Sequence, residues 1–540
     1  MKKLSFLAIF YCLIINAQVD FNSKIETILD TEYNNIKNSP GINLIVVKNS
    51  RRIFYGARGL ANLEYDIKFN DSTSFDIASL TKQFTSSCIG ILENDSLLSV
   101  EDDIRKFIPE MRFYGDTIKI KHLLNHTSGI RNHNILLDLK GFDFKHSGYN
   151  NKIIQDLMFS QKGVNNKPGE RILYSNTNYV LLALIIERVS GLKINEFARK
   201  NIFEPLGMNN TRFLTDLDDV VKNKAYEYYM DNGVYKNPKT LTLCLGAGGM
   251  LSTLHDLAKW SEVFTTNKYP VLNSFITKRD NLDSEIARGV FVSPYKEYTT
   301  INHGGRGFGM RAYFISVPKI ELSIIIYANL NNINVESIAY KILDLFLPVD
   351  KRNNSKIVNH NKKVMPNITE HIGTYQELNS DLTMDFSVIN DTLRVKNIKG
   401  RTMTSLVPIN TNKYTRKDNE SIIYNFKNNH NCDLTINFGG GLFYFKKIKL
   451  IDPKEVNIND YIGTYRSIEL GLDYSIKNVD GKLILSYENN YDIDLTPIQK
   501  NVFGSGRRIK YEFKWSESKK IEGLNVSAEG TVKNIYFKKI

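Results

Sequence analysis

A serine and a lysine three residues apart form the first pair in this sequence that could do chemistry. Ser79 and Lys82 lie in the stretch FDIASLTKQF, and a helix beginning here would put both side chains on one face. A serine hydroxyl needs a base to take its proton, and a lysine can be that base if burial or nearby positive charge lowers its pKa. Free N–H groups at the helix start would suit an oxyanion. Alone, however, the motif is more typical of a solvated helix start.

A second motif, Tyr-x-Asn, combines Tyr174 and Asn176 just before an apolar run with helical spacing. A phenolate near a lysine ammonium can act as a base, or the two groups can share one proton. Taken alone, this motif favours a plainer interpretation, in which a tyrosine packs at a helix start and the asparagine caps it.

The third motif is a histidine followed by glycines: His303, Gly304, Gly305 and Arg306. Glycines let a strand edge approach a substrate closely. The backbone N–H of Arg306 is a candidate oxyanion donor beside that of Ser79. The structural alternative is a glycine-rich turn.

Hydrophobic periodicity predicts the elements that must position these motifs. The predicted helices cover residues 22–37, 177–203 and 335–347, together with the helix that begins near Ser79 and a shorter one that ends at Gly129. Within 177–203, Gly191 is expected to break or cap the first helix before a second one runs to about Phe203. The predicted strands cover residues 41–47, 52–59, 310–316 and 321–328. Strands at both ends of this part, with helices between them, predict one shared sheet covered by helices.

The C-terminal part contains an internal repeat. Residues 371–375 match 461–465, and residues 443–448 match 535–540. Short alternating strands separated by Asn, Asp and Gly turns fill each repeat, which predicts two successive small antiparallel barrels. The expected division is a signal peptide at 1–17, a first domain at 18–348, a linker at 349–369, and barrels at 370–450 and 451–540. The polar linker predicts that the first domain folds without the barrels.

Composition and charge exclude some classes of protein. Of the 540 residues, 42% are hydrophobic, which is enough for real cores. Residues 351–540 carry 30 Lys+Arg and 21 Asp+Glu, a net charge of +9, which favours solubility or anionic partners. No nucleic-acid-binding signature is present. Beyond residue 17, Cys88, Cys244 and Cys432 are too widely spaced for a disulfide framework or a metal site. No cofactor is indicated.

The N-terminus has the pattern of a targeting segment. Lys2 and Lys3 precede an apolar run from Leu4 to Ile15, and Ala17 is a small residue suited to cleavage. This run is too short for a stable transmembrane helix, and no later apolar run of ~20 residues appears. We therefore expect a periplasmic or secreted protein, with an uncleaved N-terminal anchor as the alternative.

In the order Ser-x-x-Lys, Tyr-x-Asn, His-x-Gly, the three motifs resemble the serine β-lactamase and penicillin-binding-protein superfamily, in its class C β-lactamase, esterase and D-aminopeptidase branch. Residues 123–129, 246–253 and 305–329 extend the resemblance, which covers roughly residues 22–347. It implies an α+β fold: a β-lactamase/DD-peptidase-like antiparallel sheet with flanking helices and an inserted all-helical subdomain. The two barrels resemble the lipocalin-like tails of related peptidases.

The resemblance also implies roles. Ser79 would be the acylated nucleophile, Lys82 and Tyr174 the proton-transfer pair, Asn176 a group that positions a substrate amide or shuttles a proton, and Gly304, Gly305 and Arg306 the substrate-binding edge. His303 stands where many members carry a lysine. A lysine is a fixed cation that can hold a substrate carboxylate, whereas histidine is mostly neutral at pH 7. Arg306 or Arg311 is the candidate replacement cation.

These arguments predict a serine hydrolase that forms an acyl-enzyme on Ser79 with small peptide, D-amino-acid amide or ester substrates. β-Lactams and peptidoglycan fragments are further candidate ligands. The histidine in place of lysine makes efficient β-lactam hydrolysis less expected than esterase or D-peptidase activity. The alternatives are a catalytically poor penicillin-binding or wall-fragment-sensing protein, and a genuine class C-like β-lactamase.

Overall fold

The computed structural model consists of an α+β part followed by two β-barrels. It describes residues 21–33, 38–144, 146–239, 242–281, 284–347, 368–400, 402–418, 422–426, 432–438 and 442–540. The expected signal peptide lies outside the described residues, as does the expected linker up to residue 367. Among the described residues, no helix has both the length and the apolar composition needed to cross a membrane.

Six antiparallel strands form the central sheet of the described α+β part. In spatial order they are Phe291–Tyr295, Tyr298–Arg306, Arg311–Val317, Leu322–Ala328, Ile42–Lys48 and Arg51–Arg58. Ile42 pairs with Ala328, so the first and last strands of this part are neighbours, as the sequence predicted. The strands at 291–295 and 298–306 were not predicted, because their polar residues and glycines hide the apolar alternation.

Helices cover both faces of the sheet, which explains the unbroken apolar run in the strand Ile42–Lys48, the first along the chain. Successive side chains of a strand point to opposite faces. Leu44 and Val46 pack with the helices at 21–33 and Val335–Phe346. Ile45 and Val47 belong instead to the larger core, which also includes the Ser79 helix. Both faces are therefore buried.

The helical part follows the predicted pattern with one difference. Its helices are Thr81–Asn94, Ile120–Leu124, His133–Leu139, Asn151–Phe159, Asn176–Ser190, Ile194–Ala198, Leu254–Trp260, Glu262–Thr265 and Pro270–Ile276. The break predicted at Gly191 is confirmed: the first helix ends at Ser190, and Gly191 has a φ of +71°, which favours glycine. The helix expected to end at Gly129 already ends at Leu124, because the chain reaches a φ of +58° at His126.

Two closed antiparallel barrels follow, each with eight strands in the described residues, and this confirms the repeat prediction. The first contains Gly373–Glu377, Thr383–Ile389, Thr392–Asn397, Met403–Pro408, Lys413–Arg416, Ile422–Asn425, Leu434–Phe438 and Leu442–Ile448. The second contains Gly463–Ser467, Leu472–Val479, Lys482–Tyr487, Asn490–Gln499, Val502–Gly504, Ile509–Trp515, Ile521–Ala528 and Val532–Lys539.

The repeated Gly-Thr-Tyr motif closes each barrel in the same way. Lys447 lies against Gly373 and over the ring of Tyr375, and Lys539 lies in the same way against Gly463 and Tyr465. The two Nζ-to-ring-centroid distances are 5.6 and 5.5 Å. A β-carbon on either glycine would lie 2.7 Å from the lysine side chain. The repeat in sequence is thus a repeat of one packing arrangement at the closure.

Candidate active site

Ser79 lies at a sharp turn between a short strand and a helix. Strand Phe75–Asp76 leads into the 3-10 turn Ala78–Leu80, which continues as the helix Thr81–Asn94. Ala78 has a φ of +46°, which residues other than glycine rarely adopt. Asp76 Oδ1 accepts the N–H of Ala78 at 2.7 Å and holds this conformation. The turn presents Ser79 at the N-terminal end of the helix.

Lys82 is fully buried, and its Nζ atom contacts three oxygen acceptors. It donates to Ser79 Oγ at 3.1 Å, to Asn176 Oδ1 at 2.8 Å and to the carbonyl oxygen of Ala247 at 2.8 Å. A charged lysine has three N–H bonds, and each finds an acceptor here. These contacts fix the nitrogen beside the serine hydroxyl, within the reach that proton transfer requires.

The Ala247 carbonyl was not identified from the sequence. Gly246, with a φ of +97°, packs so closely that a β-carbon would lie 2.3 Å from the carbonyl oxygen of Tyr179. Thr85 Oγ1 donates to the Gly246 carbonyl at 2.8 Å. The loop is thereby held between two helices with the next carbonyl directed at Lys82. A backbone acceptor has no side-chain signature, and only the glycine-rich stretch 246–253 marked this place.

Tyr174 lies next to Lys82 and is supported from behind by His126. Lys82 Nζ is 5.1 Å from the centroid of the Tyr174 ring. The His126 ring stacks on the Tyr174 ring at 4.2 Å and 28°. His126 Nδ1 accepts the backbone N–H of Ser175 at 3.2 Å, so this nitrogen carries no proton. Burial, and then the charge of Lys82, hold the pKa of His126 well below its usual value.

His126 is therefore a neutral, fixed support for the Tyr174 ring. The sequence contained it in the His-Thr-Ser-Gly stretch 126–129 but gave it no role. Its ring orientation depends on a contact with residue 175, 49 positions further along the chain. Sequence spacing gives no signal for such a contact.

The sequence suggested that His303 begins an extended segment. In the structure it lies inside the strand Tyr298–Arg306. Its Nδ1 donates to the carbonyl oxygen of Gly304 at 2.7 Å, because a carbonyl can only accept. Burial, and then the charge of Lys82, lower the pKa of His303 to about 3. Its ring centroid is 6.5 Å from that of Tyr174. The residue is neutral at neutral pH and offers no fixed cation.

The glycines after His303 bring this strand against the Ser79 turn. A β-carbon on Gly305 would lie 2.5 Å from the carbonyl oxygen of Ile77. On its outer side, the strand Tyr298–Arg306 pairs with Phe291–Tyr295 over residues 298–302, which leaves residues 304–306 without a partner strand there among the described residues. An unpaired edge offers backbone N–H and C=O groups to an extended ligand.

A cleft of about 910 Å³ opens over this edge. Its lining includes Ser79, Tyr174, His303, Gly304, Gly305, Arg306, Arg311, Glu285 and Glu336. Arg306 is exposed, whereas Arg311 Nη1 donates to the carbonyl oxygens of Gly307 and Met310 at 2.9 and 2.6 Å. Arg306 therefore keeps its guanidinium available to a ligand.

The three sequence motifs thus converge at one place. The cleft is lined by Ser79, Tyr174 and the His303 strand. Beneath it, Lys82 donates hydrogen bonds to Ser79 and Asn176. Among the described residues, no cluster of three or more His, Cys, Asp or Glu side chains is arranged to hold a metal ion.

The antiparallel sheet, the helix beginning at Ser79 and the Lys82 contacts define a β-lactamase-fold hydrolase. A family model described as beta-lactamase matches residues 25–345, more than half of the chain. The chain belongs to the beta-lactamase family.

Known proteins resemble this chain to different extents. Protein flp of Staphylococcus aureus strain MRSA252 is 27% identical over 360 residues, which cover 64% of this chain and 68% of that protein. For flp of strain N315, the matched residues cover 60% of this chain and 64% of that protein.

Two solved structures resemble the fold. One is the octameric penicillin-binding protein homologue from Pyrococcus abyssi. The aligned region covers 87% of this chain and 98% of that one, with a TM-score of 0.53 and 22% identity. The other is the D-amino acid amidase from Ochrobactrum anthropi SV3, solved with L-phenylalanine amide. The aligned region covers 61% of this chain and 98% of that one, with a TM-score of 0.52 and 20% identity. At these identities, the likeness concerns the fold.

Proposed function

We propose that this protein is a serine hydrolase that forms an acyl-enzyme on Ser79 with small peptide, D-amino-acid amide or ester substrates. The observation that carries the proposal is the set of hydrogen bonds from Lys82 Nζ to Ser79 Oγ and Asn176 Oδ1. A buried amine held beside a hydroxyl at the mouth of a large cleft is an arrangement suited to nucleophilic catalysis.

The proposed sequence begins with attack of Ser79 Oγ on the substrate carbonyl carbon. Lys82 and Tyr174 form the pair that takes the hydroxyl proton and passes it to the leaving group. The backbone N–H groups of Ser79 and Arg306 would bind the oxyanion, because the Gly305 strand lies directly against the Ser79 turn. Water then releases the acyl group, with the same pair acting as base.

Two observations support amides, peptides and esters over β-lactams. A neutral His303 cannot hold a substrate carboxylate as a lysine would. The D-amino acid amidase adds a fold-level argument for amide substrates.

Covalent labelling tests the nucleophile. A fluorophosphonate probe should add one label per chain, and peptide mass spectrometry should place it on Ser79. Ser79→Ala should abolish the label. Ser293→Ala is the matched control, because Ser293 lines the same cleft but donates its hydrogen bond to Glu285. A label that persists in Ser79→Ala would identify another nucleophile and overturn the proposal.

A substrate panel distinguishes the proposed activity from its alternatives. Turnover of D-aminoacyl amides or short-chain esters with slow nitrocefin hydrolysis is the expected pattern. Fast nitrocefin hydrolysis would instead indicate a β-lactamase. A stable adduct with fluorescent penicillin and no turnover of any substrate would indicate a penicillin-binding or sensing protein.

We also propose that the protein is exported and works in the periplasm or outside the cell. The support is the sequence alone: Lys2 and Lys3, the apolar run from Leu4 to Ile15, and the small residue Ala17. N-terminal sequencing of the mature protein should find a start near residue 18, and an intact N-terminus would argue against cleavage.

A further inference from the structure

The second barrel packs directly on the helical part of the hydrolase domain. Tyr474 Oη donates to the carbonyl oxygen of Leu139 at 2.8 Å, and Lys140 Nζ donates to that of Leu470 at 2.8 Å. Asn165 Nδ2 donates to the Thr531 carbonyl, also at 2.8 Å. Apolar residues of both parts form one continuous hydrophobic core. The barrel is therefore docked by specific contacts as well as joined through the chain.

At the centre of this interface is a buried ion pair between Arg131 and Glu469. Their side chains are only 4% and 7% exposed. Arg131 also donates to Gln161 Oε1 at 3.0 Å and to the carbonyl oxygen of Lys533 at 2.8 Å. Glu469 Oε1 accepts the backbone N–H of Lys162 at 2.7 Å. Sliding of the barrel would leave a buried charge unpaired, so the pair fixes one docking position.

One hydrogen bond joins the Arg131 backbone to the residue that follows Asn176. Thr177 Oγ1 donates to the carbonyl oxygen of Arg131 at 2.8 Å and accepts the N–H of His133 at the same distance. Thr177 directly follows Asn176, whose Oδ1 accepts from Lys82. The position of the Arg131 backbone therefore sets the first turn of the helix that carries Asn176.

The first barrel reaches the segment on the other side of Asn176. The guanidinium of Arg171 stacks on the ring of Tyr444 at 4.6 Å. Arg171 lies three residues before Tyr174, and the next residue but one, Leu173, donates its N–H to the His126 carbonyl at 2.8 Å. The first barrel thus contacts the segment before the Tyr-x-Asn motif directly, whereas the second barrel is linked to it through Arg131.

We propose that the barrels complete the active site from behind: Glu469, acting through Arg131, holds the start of the Asn176 helix and so keeps Lys82 aligned with Ser79. Glu469 and Arg131 are positioning residues, because neither lines the cleft. The expected effect on the labelling rate of Ser79 rests on the proposed function, whereas the expected effect on the backbone around Asn176 does not.

The test variant is Glu469→Gln in the full chain. It keeps the acceptor for the Lys162 N–H but removes the charge that Arg131 faces. The labelling rate of Ser79 should fall roughly 10- to 100-fold, the scale that a small displacement of a catalytic group costs. Asp473→Asn is the matched control: it breaks the exposed Asp473–Arg466 pair of the same barrel and should change the rate by about twofold at most.

Hydrogen–deuterium exchange provides a readout that needs no activity. Exchange in the peptide covering residues 174–182 should rise in Glu469→Gln and stay unchanged in Asp473→Asn. If the single variant does not fold, the double variant Arg131→Met/Glu469→Met removes both buried charges and should show the same two changes. Wild-type labelling and wild-type exchange in a folded variant would overturn the inference. Failure of the wild-type protein to label would instead count against the proposed function, and the exchange result would still decide the positioning role.

Discussion

Gly305 lies against Ile77 so closely that a β-carbon would sit 2.5 Å from the Ile77 carbonyl oxygen. This contact joins the His303 strand to the turn that presents Ser79, two elements more than 200 residues apart in the chain. The proposed oxyanion site needs N–H groups from both, so the distance between them decides whether the site exists.

Gly305→Ala should therefore push the strand away from the Ser79 turn. We expect the labelling rate of Ser79 to fall at least ~10-fold, since small misplacements of catalytic groups have effects of this size. Gly304→Ala is the matched comparison, because its β-carbon would meet nothing closer than 3.7 Å, and it should cost less. Equal rates for both variants and wild type would separate the contact from catalysis. The measurement is the second-order rate of fluorophosphonate labelling.

Tyr174→Phe tests the proposed proton-transfer pair. The ring, whose centroid lies 5.1 Å from Lys82 Nζ, and its stack on His126 should remain, whereas the hydroxyl is lost. Turnover of the best substrate should fall by ~100-fold or more, the usual contribution of a positioned acid or base. Tyr295→Phe removes a hydroxyl from the same cleft, one that donates to Asp344, and serves as control. Unchanged turnover in Tyr174→Phe would rule out the assigned role.

Buried histidines should make the fold sensitive to acid. Burial, then the charge of Lys82, lower the pKa values of His133 and His303 to about 3, from an ordinary 6.5. Between these values, the unfolded chain binds more protons than the folded one, so the free energy of unfolding falls as pH drops below about 6.5. Urea denaturation across this range should show the slope.

His303→Gln should reduce that slope, because it removes one of the depressed groups. His146→Gln is the control, since the His146 side chain is 78% exposed. A slope that is identical in wild type and both variants would show that His303 is not the source of the acid sensitivity.

A carboxyl behind the active site should act in the opposite pH direction. Burial, and then the charge of Asp76, raise the pKa of Glu227 to about 7, while the Gly309 N–H, Lys224 and Arg311 act against this shift. The folded state then binds more protons than the unfolded chain between about pH 4.5 and 7, and this contribution to stability is lost as pH rises through 7.

Glu227→Gln keeps an acceptor for the Gly309 N–H and removes the charge. At pH 8 or above, the variant should be more stable than wild type by an amount on the order of 1 kcal/mol. Glu297→Gln, on an exposed side chain, is the control. Urea denaturation in which the two variants behave alike would place the titration elsewhere.

The docked barrel reverses the expectation that the first domain folds alone. Removing residues 360–540 would expose the apolar surface shared with the second barrel and uncover Arg131. A large apolar surface in contact with water promotes association, so we expect an aggregating or poorly folded fragment. Size-exclusion chromatography and circular dichroism would check this. A monomeric, cooperatively unfolding fragment would contradict it.

Local sequence determined most of the secondary structure, the two barrels and the Ser79–Lys82 pair. Ser79 and Lys82 are one helical turn apart, and their side chains must share a face wherever that helix lies. Apolar periodicity predicted the central helices and four of the six described strands of the sheet, and the internal repeat predicted both barrels. These features depend on contacts between near neighbours in the chain, which spacing records.

Only the tertiary structure decided what lies around those residues. The Ala247 carbonyl at Lys82, the neutral His126 beneath Tyr174, the burial that keeps His303 uncharged and the Arg131–Glu469 pair all join segments at least 48 residues apart in sequence. Such contacts depend on packing, backbone acceptors and the dielectric surroundings of a folded interior. No residue type or spacing encodes them locally, because they exist only once distant segments have met.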